Sequence, residues 1–172
     1  MIVSRGYGGG RVVVNGVDVT DVVNSRGGGD AGPVRVAVRL PAGSSAEADV
    51  DAGEIRVSGP VNHVAASTAS ADVSVAEAQS LNARTASGDI RAGITGAATV
   101  RTASGDVTIT CAHGDTGADT ASGDIRVHCM AAIRVSARSA SGDIRVTAAS
   151  GIRPRVRARS MSGHVGTPES DW

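Results

Sequence analysis

At 172 residues the chain has the length of one domain and enough sequence to bury a core. Its 17 basic residues are balanced by 17 acids, which excludes an overall field that would draw in nucleic acid or an anionic membrane and leaves only local patches for electrostatic work. With no Phe, one Trp and one Tyr, the core falls to Ala, Val, Ile and Thr, small side chains that suit a thin body.

Residues 1–10 are glycine-rich and lack the apolar run of a signal peptide; they read as a flexible N-terminus, and the chain as cytoplasmic, without a membrane span. Two short strands follow around Asn15-Gly16, a two-residue hairpin signal. Gly27–Gly32 reads as a loop, and Val34–Leu40 alternates apolar and polar side chains as a half-buried strand does. Residues 11–48 are assigned as an N-terminal β-hairpin and strand cap, because an uncovered sheet end offers unpaired backbone groups to other chains.

The remainder is a repeat. Thr85-Ala-Ser-Gly-Asp-Ile-Arg91 returns from Thr102, Thr120 and Ser139, then degenerates to Ser160-Met-Ser-Gly-His-Val165, with weaker copies around Gly53 and Ala71. The period of 17–21 residues is too short for a helix pair, and β-branched residues recur in each copy, so stacked β-coils are expected. Inward candidates fall on one parity before the glycine (Ala98, Val100, Thr102) and on the other after it (Val107, Ile109, Cys111), which marks a corner at each Ser-Gly. Glycine is expected there for backbone angles that other residues resist. The fold predicted is an all-β, short-coil β-solenoid of about seven coils over residues 49–165, with a disordered tail at 166–172 and one structural domain overall.

The repeated Ser-Gly-Asp-Ile/Val-Arg phrase, preceded by Gly32-Pro-Val-Arg-Val-Ala-Val-Arg-Leu-Pro-Ala-Gly-Ser-Ser45, resembles the toastrack β-repeat family, bacterial domains also labelled adhesins. The resemblance runs from about residue 10 to 165. It implies a β-solenoid-like fold and, in some relatives, attachment to membrane segments or envelope-stress regulators; it brings no catalytic residue.

The repeat places like residues in columns. Gly88, Gly105, Gly123 and Gly142 with Asp89, Asp106, Asp124 and Asp143 form the structural phrase. Stacked carboxylates invite calcium, but Arg91, Arg126 and Arg145 lie two residues along and can supply the neutralising charge. Thr85, Thr102, Thr120, Ser139 and Ser160 form a hydroxyl column expected to hydrogen-bond to the turn backbone. Cys111 and Cys129, each six residues after its glycine, are placed in one inward column as small buried thiols; nearby His113 and His128 match no standard zinc spacing.

In the last coils Arg153, Arg155, Arg157 and Arg159 share a parity, and Arg134 and Arg138 are expected to stack beneath Arg155 and Arg159. This patch is either a seat for an anionic partner or a guard against edge-to-edge pairing. No catalytic set, cofactor site or metal site is assigned. The expected function is a non-catalytic interaction or scaffold module with a protein partner and no nucleic acid. The alternative is a self-assembling structural protein resembling bactofilins. A carbohydrate-active β-helix enzyme fits least, since sugar polymers are gripped by aromatic platforms and Tyr7 and Trp172 lie at the chain ends.

Overall fold

Each repeat supplies two runs of alternating inward and outward side chains whose parities disagree, so the chain has to turn between them. The computed structural model, which describes residues 2–6, 10–14, 17–18, 34–38 and 42–168, shows the turn made once per coil at Ser-Gly-Asp and once on the far side. The described strands are β1 (Ile2–Gly6), β2 (Gly10–Val14), β3 (Val17–Asp18), β4 (Val34–Val38), β5 (Ser45–Ser87), β6 (Ile90–Ser104) and β7 (Val107–Ala112). They continue as β8 (Thr116–Ser122), β9 (Ile125–Cys129), β10 (Arg134–Ser141), β11 (Ile144–Ala148), β12 (Arg155–Ser162) and β13 (Val165–Gly166).

Strand β6 carries both runs of one coil. Its first half pairs in parallel with β7 and its second half in parallel with β8. Behind the first half stack β7, β9, β11 and β13; behind the second stack β8, β10 and β12. The molecule is thus an all-β parallel solenoid with two ladder walls. Following one wall from Val73 through Ile90, Val107, Ile125 and Ile144 to Val165 passes six rungs, about five turns. The earliest copies, at Gly53 and Ala71, lie within the single long strand β5, where the Asn62 N–H to Ser44 carbonyl bond of 2.9 Å keeps the same step.

Between the walls lies the thin core the composition calls for. Ile90, Ile125 and Ile144 form one column at 1% exposure or less, facing Val100, Ala118, Val135 and Ala137 across the coil. Burying each isoleucine is worth about 1.5–3 kcal/mol. The period lengthens along the chain, and all of the lengthening sits in the far turn. Ile90 to Ala98, Val107 to Thr116, Ile125 to Val135 and Ile144 to Val156 step by 8, 9, 10 and 12 residues, whereas Ala98 to Val107, Thr116 to Ile125, Val135 to Ile144 and Val156 to Val165 each step by 9.

The first coil is closed by N-terminal strands. β1 lies antiparallel on Gly53–Val57 and β2 antiparallel on Ala46–Val50, with β4 outside β1 and β3 outside β2. Ile2–Gly6, expected within a flexible N-terminus, is therefore a paired strand, and Ser45–Ala48, expected in the cap, is part of the solenoid strand β5. β2 and β3 meet at Val14↔Val17, the pairing a two-residue hairpin demands. Asn15-Gly16 itself, the Gly27–Gly32 loop, Tyr7 and residues 169–172 lie outside the described residues.

From Gly88 onward the corner glycines are explained by room rather than by backbone angle, whereas Gly53 in the first copy has the expected positive φ, +136°. Gly88, Gly105, Gly123 and Gly163 have no positive φ. Instead, a Cβ on Gly105 would come closer than 3.0 Å to the Gly88 carbonyl, its carbon lying 2.7 Å away, and Gly123 over Gly105 and Gly142 over Gly123 repeat the clash with the carbonyl carbon at 2.6 Å. The same carbonyls take the hydroxyl column: Thr102 Oγ1 donates to Gly88 O at 3.4 Å, Thr120 Oγ1 to Gly105 O at 3.4 Å, Ser139 Oγ to Gly123 O at 3.2 Å and Ser160 Oγ to Gly142 O at 2.8 Å. Gly105→Ala is expected to lower stability by about 1–3 kcal/mol, because backbone has to shift to admit the methyl group. Gly117→Ala, whose Cβ meets nothing nearer than 4.0 Å, should stay within about 0.5 kcal/mol. Urea denaturation of the two variants provides the comparison.

Candidate functional site: a carboxylate ladder and an arginine face

The aspartates of the phrase stand beside the glycines, and their carboxylates point along the stack. Asp72 Oδ1 accepts the Asp89 N–H at 2.9 Å, Asp89 Oδ1 that of Asp106 at 3.0 Å, Asp106 Oδ1 that of Asp124 at 2.9 Å and Asp124 Oδ1 that of Asp143 at 2.9 Å. Asp143 Oδ1 ends the series on the His164 N–H at 2.8 Å. Each carboxylate thus satisfies a corner donor in the next coil that the parallel ladder leaves over. The remaining oxygens meet arginine: Arg91 Nη2 lies 2.6 Å from Asp89 Oδ2, and Arg126 lies 2.7 Å from Asp124 and 3.7 Å from Asp106. Arg145, expected to play the same part for Asp143, has no ion pair among the described residues. Among the described residues no group of three or more His, Cys, Asp or Glu side chains is gathered as metal ligands.

Removing one rung tests this role. Asp106→Ala leaves the Asp124 N–H without its acceptor and should cost about 1–3 kcal/mol, whereas Asp106→Asn keeps an oxygen in place and should cost less than half as much. Thermal unfolding of both variants checks the difference.

The cysteines depart from the expected column. A bulge between Ile109 and Ala112 shifts the register, so Cys129 stands beside Ala112 while Cys111 stands beside Ile94. Cys129 is fully buried and Cys111 half-buried, and both are free thiols. His128 Nδ1 lies 2.7 Å from Thr147 Oγ1, away from the core that holds Cys129. Burial pushes the Cys129 thiol above its ordinary pKa, which keeps it protonated and a poor nucleophile. In the folded protein a disulfide reagent at pH 8 should label Cys111 and leave Cys129 untouched until denaturant is added; mass spectrometry of the labelled chain reads this.

The outward side of the second wall, formed by β8, β10 and β12, carries the arginines. Arg134 is in register with Arg155, Ser136 with Arg157 and Arg138 with Arg159, as the repeat predicts. Arg153 precedes β12 and is exposed, but it does not line the trough formed by the others. That trough has a volume of about 1160 Å³; beside the arginines it is lined by polar Thr99 and Ser136, by apolar Val135, Val156 and Ala158, and by one acid, Asp115. One row was missed in the sequence. Arg84, Arg101, Asp119, Arg138 and Arg159 are successive register partners across β5, β6, β8, β10 and β12. Asp119 reaches Arg101 at 3.5 Å and Arg138 at 3.9 Å, exposed pairs that are individually weak. Arg155, Arg157 and Arg159 have no carboxylate partner among the described residues.

Wound parallel ladders with a repeated hydrogen-bonded corner define a β-solenoid repeat domain. The chain matches the family model described as Toastrack DUF4097 over residues 29–171 and belongs to that family. Comparison with curated proteins and with solved structures gives no match. No catalytic family is indicated, and among the described residues no helix is long and apolar enough to cross a membrane.

Proposed function

We propose that this toastrack domain is a non-catalytic interaction module, and that the outward face of β8, β10 and β12 is its contact surface for an anionic protein partner. The observation that carries this reading is the row Arg155, Arg157 and Arg159, without carboxylate partners among the described residues, bordering a trough of mixed polar and apolar lining. Guanidinium groups present fixed forks of donors, and three on one strand face offer an array suited to carboxylates. The repeated aspartates and hydroxyls are occupied by the backbone of neighbouring coils, which leaves them with structural duties rather than chemical ones. The resemblance that ties some relatives to envelope-stress regulators supports a regulatory setting for such a module.

Antiparallel β1 and β2 on the first coil oppose head-to-tail stacking of solenoids, which weighs against the self-assembling alternative. Polyglutamate should bind the intact chain with an affinity that falls as salt is raised. The variant Arg155→Ser/Arg157→Ser/Arg159→Ser should bind it at least tenfold more weakly with unfolding midpoint little changed. Fluorescence anisotropy with labelled polyglutamate measures both. Equal binding by variant and intact chain would remove this face from consideration.

A further inference from the structure

The arginine row lies on the last strand of its wall. β12 pairs with β10 on one side and, among the described residues, with nothing on the other. The Arg155 N–H points back to Ile133 O at 2.8 Å, so alternation along the strand turns the N–H and C=O groups of Val156, Ala158 and Ser160 toward the open side. Their side chains tell the same story. Val135, Ala137 and Ser139, one coil earlier, are 1%, 0% and 6% exposed, whereas Val156, Ala158 and Ser160 are only half-buried. Among the described residues the end of the wall is therefore without a covering layer, and the layer that fits it is a strand with small or apolar residues inward.

The charges say what its outward residues must be. Along a strand, outward side chains recur about every 6.8 Å, and an added strand sits about 4.8 Å away with the same spacing. A neighbour on β12 would place its outward residues beside Arg155, Arg157 and Arg159, which calls for carboxylates. The chain contains a segment of this composition at its opposite end: in β5, Glu47, Asp49 and Asp51 are exposed and alternate with buried Ala46, Ala48 and Val50. That edge is covered by antiparallel β2, whose Arg11 is in register with Asp49. One end of the wall is thus closed by an added antiparallel strand with a single opposite-charge pair in register, Glu47 standing opposite Val13; the other end presents a row of basic residues on an open edge.

We propose that β12 takes up an extended partner segment by strand addition, the segment alternating acidic residues outward with small or apolar residues inward. This rests on the reading of the arginine face as a binding surface, and adds that recognition runs through backbone hydrogen bonds to an edge as well as through charge. A nucleic-acid strand would want aromatic platforms, and the described residues include no aromatic side chain apart from histidine. A lipid surface would leave the open N–H and C=O groups of β12 unpaired.

The probe is a ten-residue peptide of alternating Glu and Val, blocked at both ends, with three companions: a block peptide of five Glu followed by five Val, the alternating peptide N-methylated on every Val, and the same N-methylated on every Glu. The intact chain should bind the alternating peptide at least tenfold more tightly than the block peptide. Methylation of one parity should abolish binding and methylation of the other should spare it, because a strand docks by one edge. Ala158→Pro, which removes an open N–H and keeps every arginine, should weaken the alternating peptide at least tenfold.

Equal binding of block and alternating peptides, or indifference to methylation of either parity, would overturn strand addition while leaving the arginine face as a charged contact surface. Failure of every acidic peptide and of polyglutamate would remove both. Binding to vesicles rich in anionic lipid with no peptide binding would overturn the proposal in favour of a membrane surface. A molar mass by light scattering that rises with concentration, and ceases to rise in the variant Arg155→Ser/Arg157→Ser/Arg159→Ser, would overturn it in favour of a second copy.

Discussion

The close approach of one coil's corner to the next governs the rest of this structure. A glycine carbonyl lies where the Cβ of the following glycine would stand, and that proximity brings the carbonyl within reach of a Thr or Ser hydroxyl and the next corner's N–H within reach of an Asp carboxylate. Serine carbonyls complete the set by accepting from glycine N–H groups, as in the Gly105 to Ser122 bond at 3.1 Å. The sharpest bend in the coil is therefore also a place where backbone groups are paired coil after coil, and buried polar groups left unpaired there would each be costly. Small core residues follow from the same constraint, since a wall held this regularly leaves room for Ile, Val and Ala in fixed columns.

Much of this was legible because the repeat is legible. The 17–21 residue period, the parity slip at Ser-Gly, the hydroxyl column and the stacking of Arg134 beneath Arg155 all follow from superposing copies of one phrase. What escaped depends on relations between copies that superposition does not reveal. The reason for glycine is a contact with a neighbouring coil, and nothing in a single copy distinguishes that from a need for unusual backbone angles. The bulge between Ile109 and Ala112 breaks the column in which Cys111 and Cys129 were placed, and counting six residues from each glycine passes over it. The row from Arg84 to Arg159 was visible at the same register, but the acidic Asp119 in its midst disguised it. Ile2–Gly6 pairs with residues half a hundred positions away, and its glycine-rich surroundings give no hint of a strand.

Within the described residues the two ends of the solenoid are chemically opposite. Acidic side chains face outward on the first coil beneath an antiparallel strand, and basic side chains face outward on the last coil with its edge open. A sum of charges over the whole chain cancels this difference, which is why the net charge of zero says so little about what the molecule does. The two thiols divide along similar lines, Cys129 sealed in the core and Cys111 lifted partly out of it by one extra residue.

The far turn grows from coil to coil while the Ser-Gly-Asp corner holds its step of 9 residues across the near side. One edge of the solenoid is thus a fixed spine and the other an adjustable hem. Sequence can be let into the hem without disturbing the columns, so foreign loops grafted between Met130 and Ile133, or between Ala149 and Pro154, would be displayed side by side on a rigid frame. A repeat of this kind can diversify along one edge while its spine stays the same, and the two edges are free to evolve at different rates.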